Sequence, residues 1–536
     1  MLKKIFFLGS VLVLVLAVVA AAGEPVCPES DSLGRGSFPD GFMFGAAISA
    51  FQHEGAPEEG GRGPSIWDSF VLKHPERYNN PDGKARDGRL GVDFYHHYKE
   101  DIQLLKKLNM DALRFSISWP RIFPHGRKDK GVNEAGVKFY NDLINELIAN
   151  GITPFVTLFH WDVPQGLEDE YNGFLSSRIV EDFREFAKFA FDEYGDRVKH
   201  WVTINEPYEF SRGGYDTGEK APGRCSKYVN EKCHDGQSGH EVYTVSHNLL
   251  LAHSEAVEEF RKCEKCKGGK IGIVQSPMWF EPYDPKSTSP PPQEIVKSAL
   301  DFTLGWHMSP ITHGDYPQKM KDNVGERLPS FTPEQKQKLK NSYDFIGINY
   351  YSSAFVAHVA DVDPQKPTWE ADSRVQWHLT NIDGYKIGTQ PPTAKFPVSA
   401  DGLKKILNHI KDIYGDPEII ITGNGYKEML GDKDGLIPDA TSDHNRKYCH
   451  MRHLMNLHGA VCQDKMNVKG YFVWSLMDGF EWEDGFGTRS GLYYIDYGSD
   501  NLTRHEKASA KWLSKLLEKD PNSIRSKGAS DAKKEL

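Results

Sequence analysis

The chain has 536 residues, 39% of them hydrophobic and 26% charged, with a formal net charge of -10 at pH 7. This composition is that of an ordinary soluble globular protein with a sizeable core, and the length fits one α/β barrel with long loop insertions. No long basic or acidic run is present, which argues against a nucleic-acid or membrane-surface partner.

The N-terminal stretch MLKKIFFLGSVLVLVLAVVAAAG carries Lys3 and Lys4, an apolar run, and small residues ending at Ala20-Ala21-Ala22. That is the pattern of a secretory signal peptide, with the mature chain expected to start near Gly23 or Glu24. The alternative, a membrane anchor, is disfavoured by the short apolar run, and no later segment is long enough to span a bilayer. The expected division is therefore 1–22 signal, 23–520 a single barrel domain, and 521–536 a charged tail.

Apolar, β-branched runs then alternate with helical patterns. The strand candidates are FMFGAAIS at Phe42, ALRFSIS at Ala112, TPFVTLFH at Thr153 and HWVTINE at His200. Four more follow: KIGIVQS at Lys270, DFIGINYY at Asp344, EIIITG at Glu418 and GYFVWSL at Gly470. Runs such as FYHHYKEDIQLLKKL, KFYNDLINELIAN and GLKKILNHIKDIYG repeat apolar residues at helical spacing. Eight continuous apolar strands, each followed by a helix, predict a (β/α)8 TIM barrel in a single domain. A doubly wound sheet is the alternative, but its phosphate-binding glycine fingerprint is missing.

Seven cysteines leave at least one unpaired. Cys225 and Cys233 bracket the short segment SKYVNEK and suggest a local disulfide, whereas the Cys263-x-x-Cys266 pair lacks the second ligand pair a zinc site needs. No metal or other cofactor is expected. Asn501-Leu502-Thr503 is an N-glycosylation sequon. The tail ends in Lys-Lys-Glu-Leu, one residue away from the Lys-Asp-Glu-Leu retrieval address, so residence in the endoplasmic reticulum lumen or a body derived from it is expected.

In a barrel of this kind, function collects at the C-terminal ends of the strands. Those ends here are Gln52, Arg114, His160 with Trp161, Asn205 with Glu206, Asn349 with Tyr351, Gly423, and Trp474 with Glu481 and Trp482. Amides and carboxylates can grip paired hydroxyls, and indoles can stack on the C–H face of a sugar ring. Glu206, ending an apolar strand in TINEP, is placed to have a raised pKa and to protonate a leaving oxygen. A strand-end Glu in a structural ion pair is the alternative reading.

The motifs AISAFQHEG, LRFSISWPRIFP, TLFHWDVP, TINEP, APGRC, FIGINYYSS and FVWSLMDGFEWEDGF through GLYYIDY resemble glycoside hydrolase family 1, the β-glucosidase and myrosinase family, over roughly Ser37 to Trp512. The resemblance is greatest to plant β-glucosidases of the endoplasmic-reticulum-body type. It implies a β-D-glycoside substrate and a retaining mechanism, with Glu206 as acid/base and Arg114 and Tyr351 orienting the nucleophile. It also implies that Gln52, His160, Asn205, Glu481 and Trp482 grip hydroxyls, that Trp474 is the stacking platform, and that position 490 faces the aglycone.

One position breaks the pattern. The family's seventh strand ends Thr-Glu-Asn-Gly with Glu as nucleophile, whereas this chain reads Thr422-Gly423-Asn424-Gly425. Glu418 lies inside the strand and Glu428 beyond the turn, too far to form the pair of carboxyls about 5–5.5 Å apart that retaining chemistry needs. Ser490, Gly479 and His97 also depart from what relatives usually carry, which fits natural drift better than one engineered change. The expectation is a β-glucosidase-type protein that is inactive or severely impaired. The alternatives are a non-catalytic carbohydrate-binding or scaffold protein, self-associating or bound to related glucosidases or lectins, and a residual thioglucosidase.

Overall fold

The computed structural model describes residues 27–28, 32–75, 78, 87–429 and 437–519. The expected signal segment and the Lys-Lys-Glu-Leu tail lie outside these residues. All eight expected strands form: β1 (Met43–Ala47), β2 (Ala112–Ser116), β3 (Thr153–Phe159), β4 (His200–Asn205), β5 (Lys270–Gln275), β6 (Phe345–Asn349), β7 (Ile419–Asn424) and β8 (Val468–Trp474). They pair in parallel around a closed barrel in chain order, with β1 returning to β8 through Met43↔Gly470 to Ala47↔Trp474. The continuous apolar character of the strands follows from burial on both faces, by the barrel interior and by the surrounding helices.

The outer helices carry the expected stripe. In the helix Ala400–Tyr414, Leu403, Ile406, Leu407, Ile410 and Tyr414 are buried, and the helix stops at Gly415 with φ 83°. Inside the barrel, side chains alternate with period two, so the residues of each strand sort into layers. The lower layer is apolar: Met43, Ala112, Phe155, Val202, Val274, Phe345, Ile420 and Phe472 pack together. Gly45 leaves room for this plug, since a Cβ there would stand 2.4 Å from the Phe472 ring.

Two residues further along, the same face turns polar at Arg114, Thr157 and Thr422 beside Trp474, and Asn349 joins them from the end of β6, four residues past Phe345. Register shifts at Val202/Asn205 in β4 and at Ile421/Gly423 in β7 add Asn205 and Gly423 to this layer. The barrel thus presents a polar floor at the C-terminal end of its strands.

Three disulfides are present, Cys27–Cys462, Cys225–Cys233 and Cys263–Cys266, and Cys449 is a buried free thiol. The C-x-x-C pair is therefore a local disulfide. No helix among the described residues is long and apolar enough to cross a membrane.

Candidate functional site

A solvent-open cleft sits on the polar floor, lined by His160, Trp161, Glu206, Asn349, Tyr351, Trp474, Glu481 and Trp482 among others. Three of these or their neighbours hold strained backbone: Trp161, Glu206 and Trp482 have φ of 76°, 48° and 52°. Non-glycine residues in that region cost on the order of 1–3 kcal/mol each and cluster at functional sites. Glu206 turns there because it both ends β4 and caps the helix Pro207–Tyr215, which aims its carboxyl into the cleft.

Burial, reinforced by the nearby Glu209 carboxylate, pushes the Glu206 carboxyl up to about 7, against the opposing effects of Asn349, Arg114 and Lys220. Asn349 Nδ2 donates to Glu206 Oε1 at 2.5 Å. Such a carboxyl exchanges a proton near neutrality, which suits a general acid or base.

Arg114 lies beneath it, 1% exposed. Its guanidinium donates to the Thr422 carbonyl at 3.0 Å, to Thr157 Oγ1 at 3.2 Å and to Asn205 Oδ1 at 2.5 Å. Every one of these acceptors is neutral. Desolvation accordingly lowers Arg114 to about 10, only partly offset by Glu206 and Tyr351. A buried cation without a carboxylate partner is costly, and its presence beside Gly423 marks where a negative charge would belong.

No hollow remains at that place. A Cβ built on Gly423 would stand 2.8 Å from Asn349 Oδ1 and 2.9 Å from the Tyr351 hydroxyl. Thr422 Oγ1 holds the Asn349 amide there at 2.7 Å. Neither nearby Glu substitutes: Glu418 pairs with Lys270 at 2.6 Å at the opposite end of the barrel, and Glu428 pairs with Arg446 at 3.2 Å.

His160 is buried between Trp474 and Trp482, with ring centroids 5.8 and 5.9 Å away. Burial and the Arg114 cation hold it well below its usual range, so it is neutral; Nε2 lies 3.2 Å from Asn205 Nδ2, and Nδ1 has no hydrogen-bond partner. Trp474 Nε1 donates to Glu481 Oε1 at 3.4 Å.

Three expected binding residues, Gln52, Asn205 and Ser490, do not line the cleft, and Asn205 touches it only through its bonds to Arg114 and His160. Gln52 is fully buried, accepting from Ser49 Oγ at 2.7 Å and donating to the Phe480 carbonyl at 2.7 Å. Ser490 is fully buried with its Oγ unpartnered, and it does not line the cleft. Gly479 packs against His53, and its Cβ would lie 2.9 Å from His53 Nε2.

Sequence reading missed Lys220, Lys427, Glu209, Glu483, Met278 and Phe396, all of which line the cleft. Lys427 sits within the TGNGYKE stretch itself, four residues after Gly423, and was the readable signal. The only metal-compatible group among the described residues is Cys27, His458 and Cys462, and its two sulfurs are joined to each other.

The sequence model of "Glycosyl hydrolase family 1" matches residues 34–521. "Probable inactive beta-glucosidase 25" of Arabidopsis thaliana is 76% identical over 536 residues, covering 100% of both chains. "Beta-glucosidase 23" of the same plant is 58% identical over 517 residues, 96% of this chain and 97% of the relative. The crystal structure of the rice β-glucosidase Os3BGlu6 superposes with a TM-score of 0.86 at 42% identity, covering 91% of this chain and 100% of that one.

Proposed function

Because the chain belongs to glycosyl hydrolase family 1, we propose that its cleft is a β-glucoside-type sugar pocket in which hydrolysis is lost or severely impaired at Gly423. The observation that carries this is the buried Arg114, with three neutral acceptors beside a strand end that bears no side chain. Retaining hydrolysis needs a carboxylate on one face of the anomeric carbon and an acid on the other. Glu206 supplies the acid. At the opposite face the chain offers the Asn349 amide and the Tyr351 phenol, neither of which can form and release a glycosyl ester.

The remaining groups support binding. His160 offers an unpartnered ring nitrogen, Glu481 a carboxylate, and Trp474 and Trp482 flat apolar faces, which together suit hydroxyls and ring C–H groups. Asn205 reaches the site through His160 and Arg114. The name of the 76% identical relative, which includes "inactive", agrees with the loss of hydrolysis.

A non-catalytic carbohydrate-binding or scaffold role follows if the pocket holds sugar without cleaving it. Glu206, with its raised pKa, can protonate a glycosidic oxygen, which makes O-glycosides the better default over thioglucosides. The leader-like N-terminus and the Lys-Lys-Glu-Leu tail support a location in the endoplasmic reticulum lumen, and Asn501, exposed in a turn, is open to a glycan. Turnover of a nitrophenyl β-glucoside, measured beside calorimetric binding of a gluconolactam, tests the reading. Turnover at the rate of an active relative would refute the loss, and absence of binding by the folded protein would refute the sugar pocket.

A further inference from the structure

One ion pair in the cleft is used by none of these roles. Lys427 Nζ lies 3.0 Å from Glu481 Oε2, and Glu481 is 1% exposed. The other Glu481 oxygen accepts from Trp474 Nε1 at 3.4 Å. Both oxygens of the carboxylate are thus engaged by the protein itself.

The lysine is held on a fixed backbone. Its carbonyl accepts the Lys395 N–H at 3.0 Å, the Tyr426 carbonyl before it accepts from Arg446, and Glu428 after it pairs with Arg489 in a short antiparallel ladder. The turn is also packed tightly under Trp474, since a Cβ on Gly425 would stand 2.0 Å from the Trp474 carbonyl oxygen. The neighbouring carboxylates have cations of their own: Lys395 lies 2.5 Å from Asp484 and 3.4 Å from Glu483, and Lys220 lies 3.5 Å from Glu483.

A carboxylate is an acceptor only, with about four lone-pair sites. An ammonium placed against it inside a cleft competes with a ligand's hydroxyls, and a neutral hexose returns too little to separate two buried charges. We propose that Lys427 is a specificity-determining residue of this cleft, weakening the grip on neutral glucosides by holding Glu481 in an internal ion pair. The inference rests on the sugar-pocket reading above. It would act independently of Gly423, on binding rather than bond cleavage.

The test is calorimetric titration of a neutral gluconolactam into the wild type, Lys427→Met, Lys427→Gln and Lys427→Arg, each checked for cooperative unfolding. Lys427→Met should bind at least ten-fold more tightly than wild type, while Lys427→Arg, which keeps the cation, stays at the wild-type affinity. Lys427→Gln removes the charge but can still donate to Glu481, so it reads the same effect if the Met variant does not fold. Equal, measurable affinity in wild type and both neutral variants overturns the role of Lys427 and leaves the sugar pocket standing. No binding by any folded variant overturns the pocket and the inference together.

Discussion

Gly423→Glu supplies the one group the cleft lacks for retaining chemistry, and the surroundings set what it costs. A missing nucleophile is expected to slow hydrolysis by on the order of 10⁴-fold, about 5.4 kcal/mol of transition-state stabilisation. The new side chain cannot enter freely, because its Cβ meets Asn349 Oδ1 at 2.8 Å and the Tyr351 hydroxyl at 2.9 Å. Inserting atoms into packed space costs about 1–3 kcal/mol, so roughly 2.4–4.4 kcal/mol of the stabilisation should be recovered. The variant should therefore hydrolyse a nitrophenyl β-glucoside about 10²- to 10³-fold faster than wild type. Replacing Asn349 by Ala alongside should relieve the crowding but weaken the contact to Glu206, so the double variant separates space from proton transfer. Wild-type turnover matching an active relative would refute the argument outright. A folded Gly423→Glu protein with no gain, alone or with Asn349→Ala, would show that the rest of the cleft can no longer bring Glu206 and a glycosidic oxygen together.

Other measurements follow from the same geometry. The Glu206 carboxyl sits at about 7 against an ordinary 4.5, so between those values the folded chain keeps a proton that the unfolded chain releases. Stability from this group therefore falls as pH rises through the window, by at most about 3 kcal/mol, and urea unfolding at both ends should show a shallower decline for Glu206→Gln. Phe472→Ala removes part of the barrel plug and should cost about 3–5 kcal/mol in denaturant unfolding, with strand pairing intact by circular dichroism. Deleting Lys-Glu-Leu from the tail should send a tagged protein into the medium, and equal retention of both forms would show that the tail is no retrieval address. Asn501→Gln should abolish a glycosidase-sensitive mass shift of the secretory form.

Much of the fold was legible because burial on both faces leaves a simple mark. Strands such as Ile419–Asn424 and Phe345–Asn349 are unbroken apolar runs, and helices such as Ala400–Tyr414 repeat their apolar residues at helical spacing. Strand ends could then be lined up as one face. What could not be read was reach: whether a side chain two layers up meets the cleft or a neighbouring backbone depends on bulges and loop turns. Gln52 spends both ends of its amide on Ser49 and Phe480, and Ser490 is covered altogether. Asn349 leans into the space a side chain at position 423 would need, because Thr422 and Glu206 both bond it. Lys427 was in plain view in the sequence, but its approach to Glu481 depends on a long-range antiparallel pairing of Glu428–Met429 with Thr488–Arg489. The small sheet of Trp279–Pro282, Ser353–His358 and Val375–His378 likewise arises from loop insertions with no strand pattern of their own.

The bond between Cys27 and Cys462 closes a ring with a sequence separation of 435 residues, and seven of the eight barrel strands lie inside it. A ring differs from an open chain in how it fails under digestion. One cleavage in any loop between the two cysteines linearises the polypeptide but detaches nothing, so a nicked molecule keeps its mass and its strands stay tethered for reclosure. Release of a fragment carrying one of those strands needs a second cut within the ring or reduction of the bond. Survival among proteases is then governed by the joint occurrence of two events, and a lag before the first fragment appears, abolished by reductant, is its kinetic signature.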